Sequence, residues 1–167
     1  MRRQIDEYEL EYLYNRIGAS IWHLQHVENA LVPYIIMKGI AKELNSLEAE
    51  EARRHEEELN RLTLGQLIGR ATKLNVISEP LLTRLREFNN DRKWVVHNSI
   101  FEHGDDLYTD EGRAYVFSRL DRFVNEATSL HKHIGDLVVE YSVSKGMPEN
   151  EINQIAIDKI NKLKGKA

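Results

Sequence analysis

Two side chains in the middle of the chain have the chemistry that a phosphodiester requires. Arg92 and His97 stand five positions apart in the segment Asp-Arg-Lys-Trp-Val-Val-His at 91–97. A guanidinium forms paired hydrogen bonds with a phosphate, and an imidazole titrates near neutral pH, so it can accept or release a proton. Lys93 and Asn98 are neighbours that could contact the same phosphate. The segment therefore predicts a phosphate or RNA site.

The polar run Asn-Asn-Asp at 89–91, directly before Arg92, is typical of a helix start. These residues are good N-caps, because their short side chains accept hydrogen bonds from the free amides of the first turn. A helix starting here would direct those amides, the positive end of its dipole and the cations Arg92 and Lys93 towards one point. We therefore expect an anion site at this helix start.

The spacing of Arg92 and His97 does not suit one straight helix. Residues of an α-helix are about 100° apart, so side chains five positions apart point in directions that differ by roughly 140°. Either the helix is distorted at its start, or the arginine of one copy of the chain complements the histidine of another. The second solution predicts a two-fold dimer with the site at its interface.

A purely structural explanation of both residues stays open. Arg92 could pair with Glu87, with Asp91 or with a neighbouring helix, and His97 could be a satisfied core or interface histidine beside Val96.

The segment His-Gly-Asp-Asp at 103–106 is explained by a polar, glycine-containing turn between helices.

Metal and thiol chemistry find little support in the sequence. The chain has no cysteine, which excludes disulfides, thiolate metal sites and a cysteine nucleophile. His23 and His26, or His131 and His133, do not have the spacing of a zinc site without further ligands nearby. We predict no metal site and no cofactor.

Composition places the chain among globular proteins of one domain. Its 167 residues can bury a single core. The formal net charge of −4 argues against a protein that coats nucleic acid by bulk electrostatics, but it is compatible with a local basic pocket. No apolar run approaches the ~20 residues of a membrane span, and the first residues do not resemble a signal peptide. We therefore expect a cytoplasmic protein with no membrane partner.

Hydrophobic residues recur every three or four positions in two long stretches. The first predicts a helix over about 5–37, which Pro33 should kink or end. The second, from Tyr115 to Tyr141, predicts a helix of about eight turns. These are expected to be the two long core helices.

Shorter helices are predicted between and after these two. The charged stretch 46–61 is interpreted as a solvated helix or connector, and Thr63 opens a capping box that predicts a helix from 64 to about 74. Ser78 and Pro80 mark the start of the next helix. Gly146 and Pro148 end the second long stretch.

The economical architecture is an all-α, antiparallel helical bundle, since no strand-like alternation competes. Residues 1–145 would form the bundle. Residues 146–167 would add an amphipathic helix and a lysine-rich tail, which includes Lys166, to the same domain.

Arg92, four intervening residues and His97, preceded by Asn-Asn-Asp and followed by Asn98, resemble the Arg-x(4–6)-His motif of the HEPN superfamily. The order of elements is also similar: Thr63-Leu-Gly-Gln-Leu-Ile, a leucine-rich helix, the motif and a long helix. The resemblance covers about residues 5–142. Lys93 departs from the pattern, because family members often have Asn, Asp or His at that position.

The resemblance implies an all-α, usually dimeric domain. It would act as a metal-independent endoribonuclease or RNA-binding domain in prokaryotic defence, abortive infection or a toxin–antitoxin pair. His97 would act on the ribose 2′-hydroxyl or the leaving oxygen, Arg92 would orient or neutralise the scissile phosphate, and Lys93 and Asn98 would contact RNA. An antitoxin or regulatory protein would be a further partner.

The alternative is a non-catalytic helical module that dimerises or regulates without cutting RNA. The acidic net charge of −4 and the departure at Lys93 favour this alternative.

Overall fold

The computed structural model describes residues 2–43 and 46–165, which fold into packed helices. Within these ranges the only extended pairing is an isolated bridge between Arg2 and Thr109. The all-α prediction is therefore confirmed for the described part of the chain. Lys166 of the predicted tail lies outside it. None of the described helices is long and apolar enough to cross a membrane.

Helix α1 (Glu7–Ile35) begins at a capping box, in which the Asp6 carboxylate accepts from the Glu9 amide and Glu9 accepts from the Asp6 amide. Pro33 lies inside this helix, and three residues after it the geometry changes to a π-helical turn over Ile36–Ala41. Pro33 has no N–H to donate to the preceding turn, which weakens the regular α pattern at this point. Near Pro33, where a kink or an end was expected, the chain thus changes from α-helical to π-helical geometry.

Helices α2 (Ala49–Leu59) and α3 (Leu64–Lys73) follow. Only Leu59 is buried on α2, which agrees with the solvated helix expected there. The capping box predicted at the start of α3 is present, with Gln66 accepting from the Thr63 amide at 2.9 Å.

Helix α4 (Glu79–Lys93) starts after Ser78 and continues directly into a π-helical turn over Trp94–Asn98 and the short helix α5 (Ser99–His103). A 3-10 turn at Asp105–Tyr108 leads to α6 (Asp110–Ser144), whose first turn is capped by Thr109. Helix α7 (Glu149–Leu163) completes the described chain and has no buried residue.

The direction of the helices follows from their contacts. Tyr12 contacts Phe117 with ring centres 5.0 Å apart, and His26 contacts His131 at 5.4 Å, so residue numbers on α1 and α6 rise together. These two helices are therefore parallel, and the antiparallel expectation is wrong for this pair. Hydrophobic spacing identifies which face of a helix is buried but says nothing about its direction.

Helices α4 and α6 do run antiparallel. Arg84 pairs with Glu126 at 2.5 Å, whereas Asp91, further along α4, lies 3.4 Å from Arg119, which is earlier on α6. Phe88 stacks on Phe123 between these two pairs, with ring centres 4.6 Å apart. The C-terminal end of α4 consequently meets the first half of α6.

A buried arginine joins the start of α1 to the start of α6. The Arg113 side chain is 2% exposed, and it donates to the Glu9 carboxylate at 3.0 Å and to the Leu107 carbonyl at 2.9 Å. Arg3 binds the same carboxylate through two hydrogen bonds, and this contact is the main cause that lowers the pKa of Glu9 to about 2. The entry to α6 is thus tied to the N-terminal segment.

Candidate functional site

The candidate segment does not contain the helix start that its polar residues suggest. Residues 89–91 lie inside α4, and the Trp94 amide donates to the carbonyls of Asn90 and Asp91. The expected anion site of free amides is therefore wrong. Phe88 and Trp94 are both buried, and a helix that continues between them keeps both aromatic rings in the core. Their burial outweighs the capping preference of three short polar side chains.

A π-helical turn begins two residues after Arg92 and contains His97. It covers Trp94–Asn98, and the Ser99 amide donates to the Trp94 carbonyl, five residues earlier. An i→i+5 turn is wider than an α turn, so residues five apart come closer to one line along the helix. The segment is therefore distorted, as one of the two expected solutions required, although the distortion lies in the continuation of a helix.

The four predicted site residues differ in burial. His97, Lys93 and Asn98 are exposed, whereas Arg92 is half-buried. The Nε atom of Arg92 is buried and has no hydrogen-bond partner among the described residues. A buried donor without a partner is costly in free energy, which makes it a candidate to bind an acceptor from outside the chain.

One of the two carboxylates suggested as structural partners of Arg92 is engaged elsewhere. Asp91 lies 3.4 Å from Arg119 of α6, and the Arg119 guanidinium lies over the Trp94 ring at 3.9 Å. Such cation–π contacts stabilise by about 0.5–2 kcal/mol. The contact attaches the first residue of the π turn to α6, and it thereby positions the turn that contains His97.

Sequence reasoning did not single out a histidine beneath this turn. The Nδ1 atom of His103 lies 2.7 Å from the Asp106 carboxylate, and its Nε2 atom lies 3.5 Å from Arg119. The ring also contacts Trp94 edge-on, with centres 5.7 Å apart. The available signal was a histidine followed three positions later by an aspartate, which a polar turn explains equally well. These contacts hold the imidazole in one orientation.

Large apolar side chains lie exposed next to the candidate site. On α5, directly after the π turn, Ile100 is 86% exposed and Phe101 is 93% exposed. Val96 inside the turn is also exposed. Neighbouring apolar side chains that face solvent are typical of protein contact surfaces.

Three other histidines, His23, His26 and His131, form a cluster between α1 and α6. The ring centres of His23 and His26 are 6.0 Å apart, and those of His26 and His131 are 5.4 Å apart. Burial, together with repulsion by His26 and His23, lowers the pKa of His131. Within the described ranges, no group of three or more histidines and carboxylates is arranged to hold a metal ion.

Comparisons with protein-family models, with curated proteins and with solved structures find no match to this chain. Statements about function therefore depend on the side chains described above.

Proposed function

We propose that the chain is a HEPN-like, metal-independent endoribonuclease or RNA-binding domain of a prokaryotic defence or toxin–antitoxin system, acting in the cytoplasm, with Arg92 and His97 at its site. The observation that supports this proposal is the π-helical turn at Trp94–Asn98. This turn contains the exposed imidazole of His97, and it directly follows the helix that carries Arg92, whose buried Nε has no partner among the described residues. Single π turns inside α-helices are frequent at functional sites.

In the proposed reaction the neutral imidazole of His97 takes the proton of a ribose 2′-hydroxyl. The 2′-oxygen then forms a bond to the adjacent phosphorus, while the bond from phosphorus to the 5′-oxygen breaks and that oxygen takes up a proton from an imidazolium at the site, which returns the histidines to their starting state. Arg92 binds the non-bridging oxygens and stabilises the negative charge that develops on them. The products are a 2′,3′-cyclic phosphate and a 5′-hydroxyl, so atoms and charge balance without an added reactant.

We further propose that two copies of the chain form the complete site. Ile100 and Phe101 are apolar and strongly exposed within four residues of His97, so a second copy that covers them would bring its own Arg92 and His97 close by. In a two-fold dimer the same patch serves both copies. Lys93 and Asn98 are exposed beside the motif and would contact the RNA backbone.

The test is cleavage of a mixed RNA substrate in the presence of EDTA. We expect the wild type to cut and both His97→Ala and Arg92→Ala to lose about 100-fold or more of the rate, because general acid–base catalysis and electrostatic stabilisation of the phosphate each contribute roughly that much. His133→Ala is the matched control, since this histidine is exposed on α6. Mixing the two inactive variants should restore part of the rate if the copies share the site. Equal rates for wild type and His97→Ala would contradict the proposal.

A second candidate function is a non-catalytic dimerisation or regulatory module. The observation that favours it is the exposure of Ile100 and Phe101, which would serve a protein contact with or without catalysis. A protein that dimerises through these residues and leaves RNA intact in EDTA and in Mg²⁺ would support this alternative.

A further inference from the structure

A groove of about 580 Å³ runs between α3 and α4. Its walls carry three cations, Lys73 on α3 and Arg86 and Lys93 on α4, together with the amides of Asn89 and Asn90. No carboxylate lines it, and none lies within ion-pairing distance of the three cations in the described part of the chain. In a chain with a net charge of −4, this is a local concentration of positive charge.

Two glycines leave part of the α3 side of the groove without side chains. Gly65 and Gly69 lie one turn apart and both line the groove. A Cβ atom added at Gly69 would meet nothing within 4 Å, and one added at Gly65 would lie 3.2 Å from the Asn89 amide nitrogen. Backbone without side chains lets an extended ligand approach both helices closely.

The groove wall also contains a polar atom that lacks a partner. The Oδ1 atom of Asn89 is buried and accepts no hydrogen bond from any described residue. An acceptor in this state requires a donor, which a ribose hydroxyl or a base amino group can supply and a phosphate diester cannot. The cations and the amide therefore suit different parts of one nucleotide chain.

We infer that the α3–α4 groove binds the sugar–phosphate backbone of a single-stranded RNA. Phosphates would pair with Lys73, Arg86 and Lys93, and a ribose or base donor would satisfy Asn89. Lys93 directly follows Arg92, so a strand bound in the groove would reach the candidate site. This last step rests on the proposed function, whereas binding in the groove does not.

An acidic peptide fits the groove less well. Peptides are usually anchored by a sheet edge or by pockets for apolar side chains. Within the groove, Ile68 is the one large apolar residue, and it is buried. An occupant is therefore held mainly by charge and hydrogen bonds, which a phosphodiester backbone can supply along its length.

The test measures binding of a fluorescein-labelled oligouridylate by anisotropy, in a His97→Ala background so that cleavage does not interfere. Replacing Lys73 and Arg86 together by Ala should weaken binding by about tenfold or more. It should also reduce the slope of log K against log salt by about 0.7 per removed cation. The matched control replaces Arg122 and Lys132, two exposed cations of α6, and should change neither quantity.

A steric variant keeps the charge unchanged. Gly69→Leu places a side chain where the structure has open space, so the fold should tolerate it while the groove is filled. We expect weaker binding without a change of salt slope. Equal losses in groove and control variants, unchanged affinity in all of them, or equally tight groove-dependent binding of polyglutamate would overturn the inference.

These outcomes also separate the groove from the catalytic proposal. Groove-dependent binding by a chain whose wild type never cuts RNA would leave the groove standing and contradict the reaction. Cleavage that depends on His97, together with RNA binding that the groove variants do not weaken, would support the reaction and contradict binding in the groove.

Discussion

The guanidinium of Arg119 lies 3.9 Å from the centre of the Trp94 ring, and this contact joins helix α6 to the π turn that contains His97. Arg119→Ala removes the cation–π contact together with the long contacts to Asp91 and His103. We expect it to lower the free energy of unfolding by about 1–2 kcal/mol. Urea unfolding followed by circular dichroism measures this change.

The control for that experiment is Arg122→Ala, because Arg122 is exposed on the same helix. It should change the free energy of unfolding by less than about 0.5 kcal/mol. Similar losses in both variants would show that Arg119 has no special role in holding the turn.

Two glycines of α6 should respond in opposite directions to the same substitution. A Cβ atom at Gly112 would collide with the backbone of Asp106, so Gly112→Ala should destabilise by about 1–3 kcal/mol. A Cβ atom at Gly135 meets nothing within 4 Å, so Gly135→Ala should stabilise by about 0.5–1 kcal/mol. Thermal and urea unfolding of both variants checks the pair. A stabilised Gly112→Ala would mean that the 3-10 turn before α6 lies elsewhere.

The histidine cluster predicts a loss of stability in mild acid. Because the folded chain lowers the pKa of His131, the unfolded chain takes up a proton first as pH falls through about 6.5. The contribution of His131 is therefore present above that pH and is lost below it. The cluster also contacts Trp22 and Thr128, and neither of these supplies a carboxylate that would compensate.

Unfolding free energies between about pH 8 and pH 5.5 test this prediction. His131→Gln should show a weaker pH dependence than the wild type, whereas the exposed His133→Gln should retain it. Identical pH profiles for wild type and His131→Gln would refute the role assigned to the cluster.

The exposed apolar pair on α5 predicts self-association. We expect the wild type to sediment as a dimer and Phe101→Ser to shift the equilibrium towards monomer by about tenfold or more in Kd, since an apolar anchor is typically a hot spot. Tyr8→Ser is the control, because Tyr8 is 84% exposed on α1. A wild type that stays monomeric at all concentrations would contradict the shared site.

Local signals in the sequence correctly predicted the helix starts that tertiary packing does not override. The Thr63 capping box and the start after Ser78 are present as expected. The polar run at 89–91 gave the same kind of signal, yet burial of Phe88 and Trp94 carries the helix through it. The π turn, in which Trp94 and Val95 are both buried, has no residue signature of its own.

Contacts between distant parts of the chain were beyond sequence reasoning. The parallel direction of α1 and α6 and the position of Arg119 over Trp94 depend on how separate helices meet, and the spacing within one helix does not contain that information. Arg92, Lys93, His97 and Asn98 were identified by residue type, and their burial became visible only in the fold.

In the proposed function, Arg92 and His97 promote attack of a ribose 2′-oxygen on the neighbouring phosphorus. The most direct measurement identifies the ends of the fragments that the wild type produces in EDTA from a short RNA, beside the same RNA with a 2′-deoxy nucleotide at the cut position. We expect a 2′,3′-cyclic phosphate and a 5′-hydroxyl from the first RNA and no cut in the second. An intact first RNA, or cleavage of the deoxy substrate at an equal rate, would contradict it.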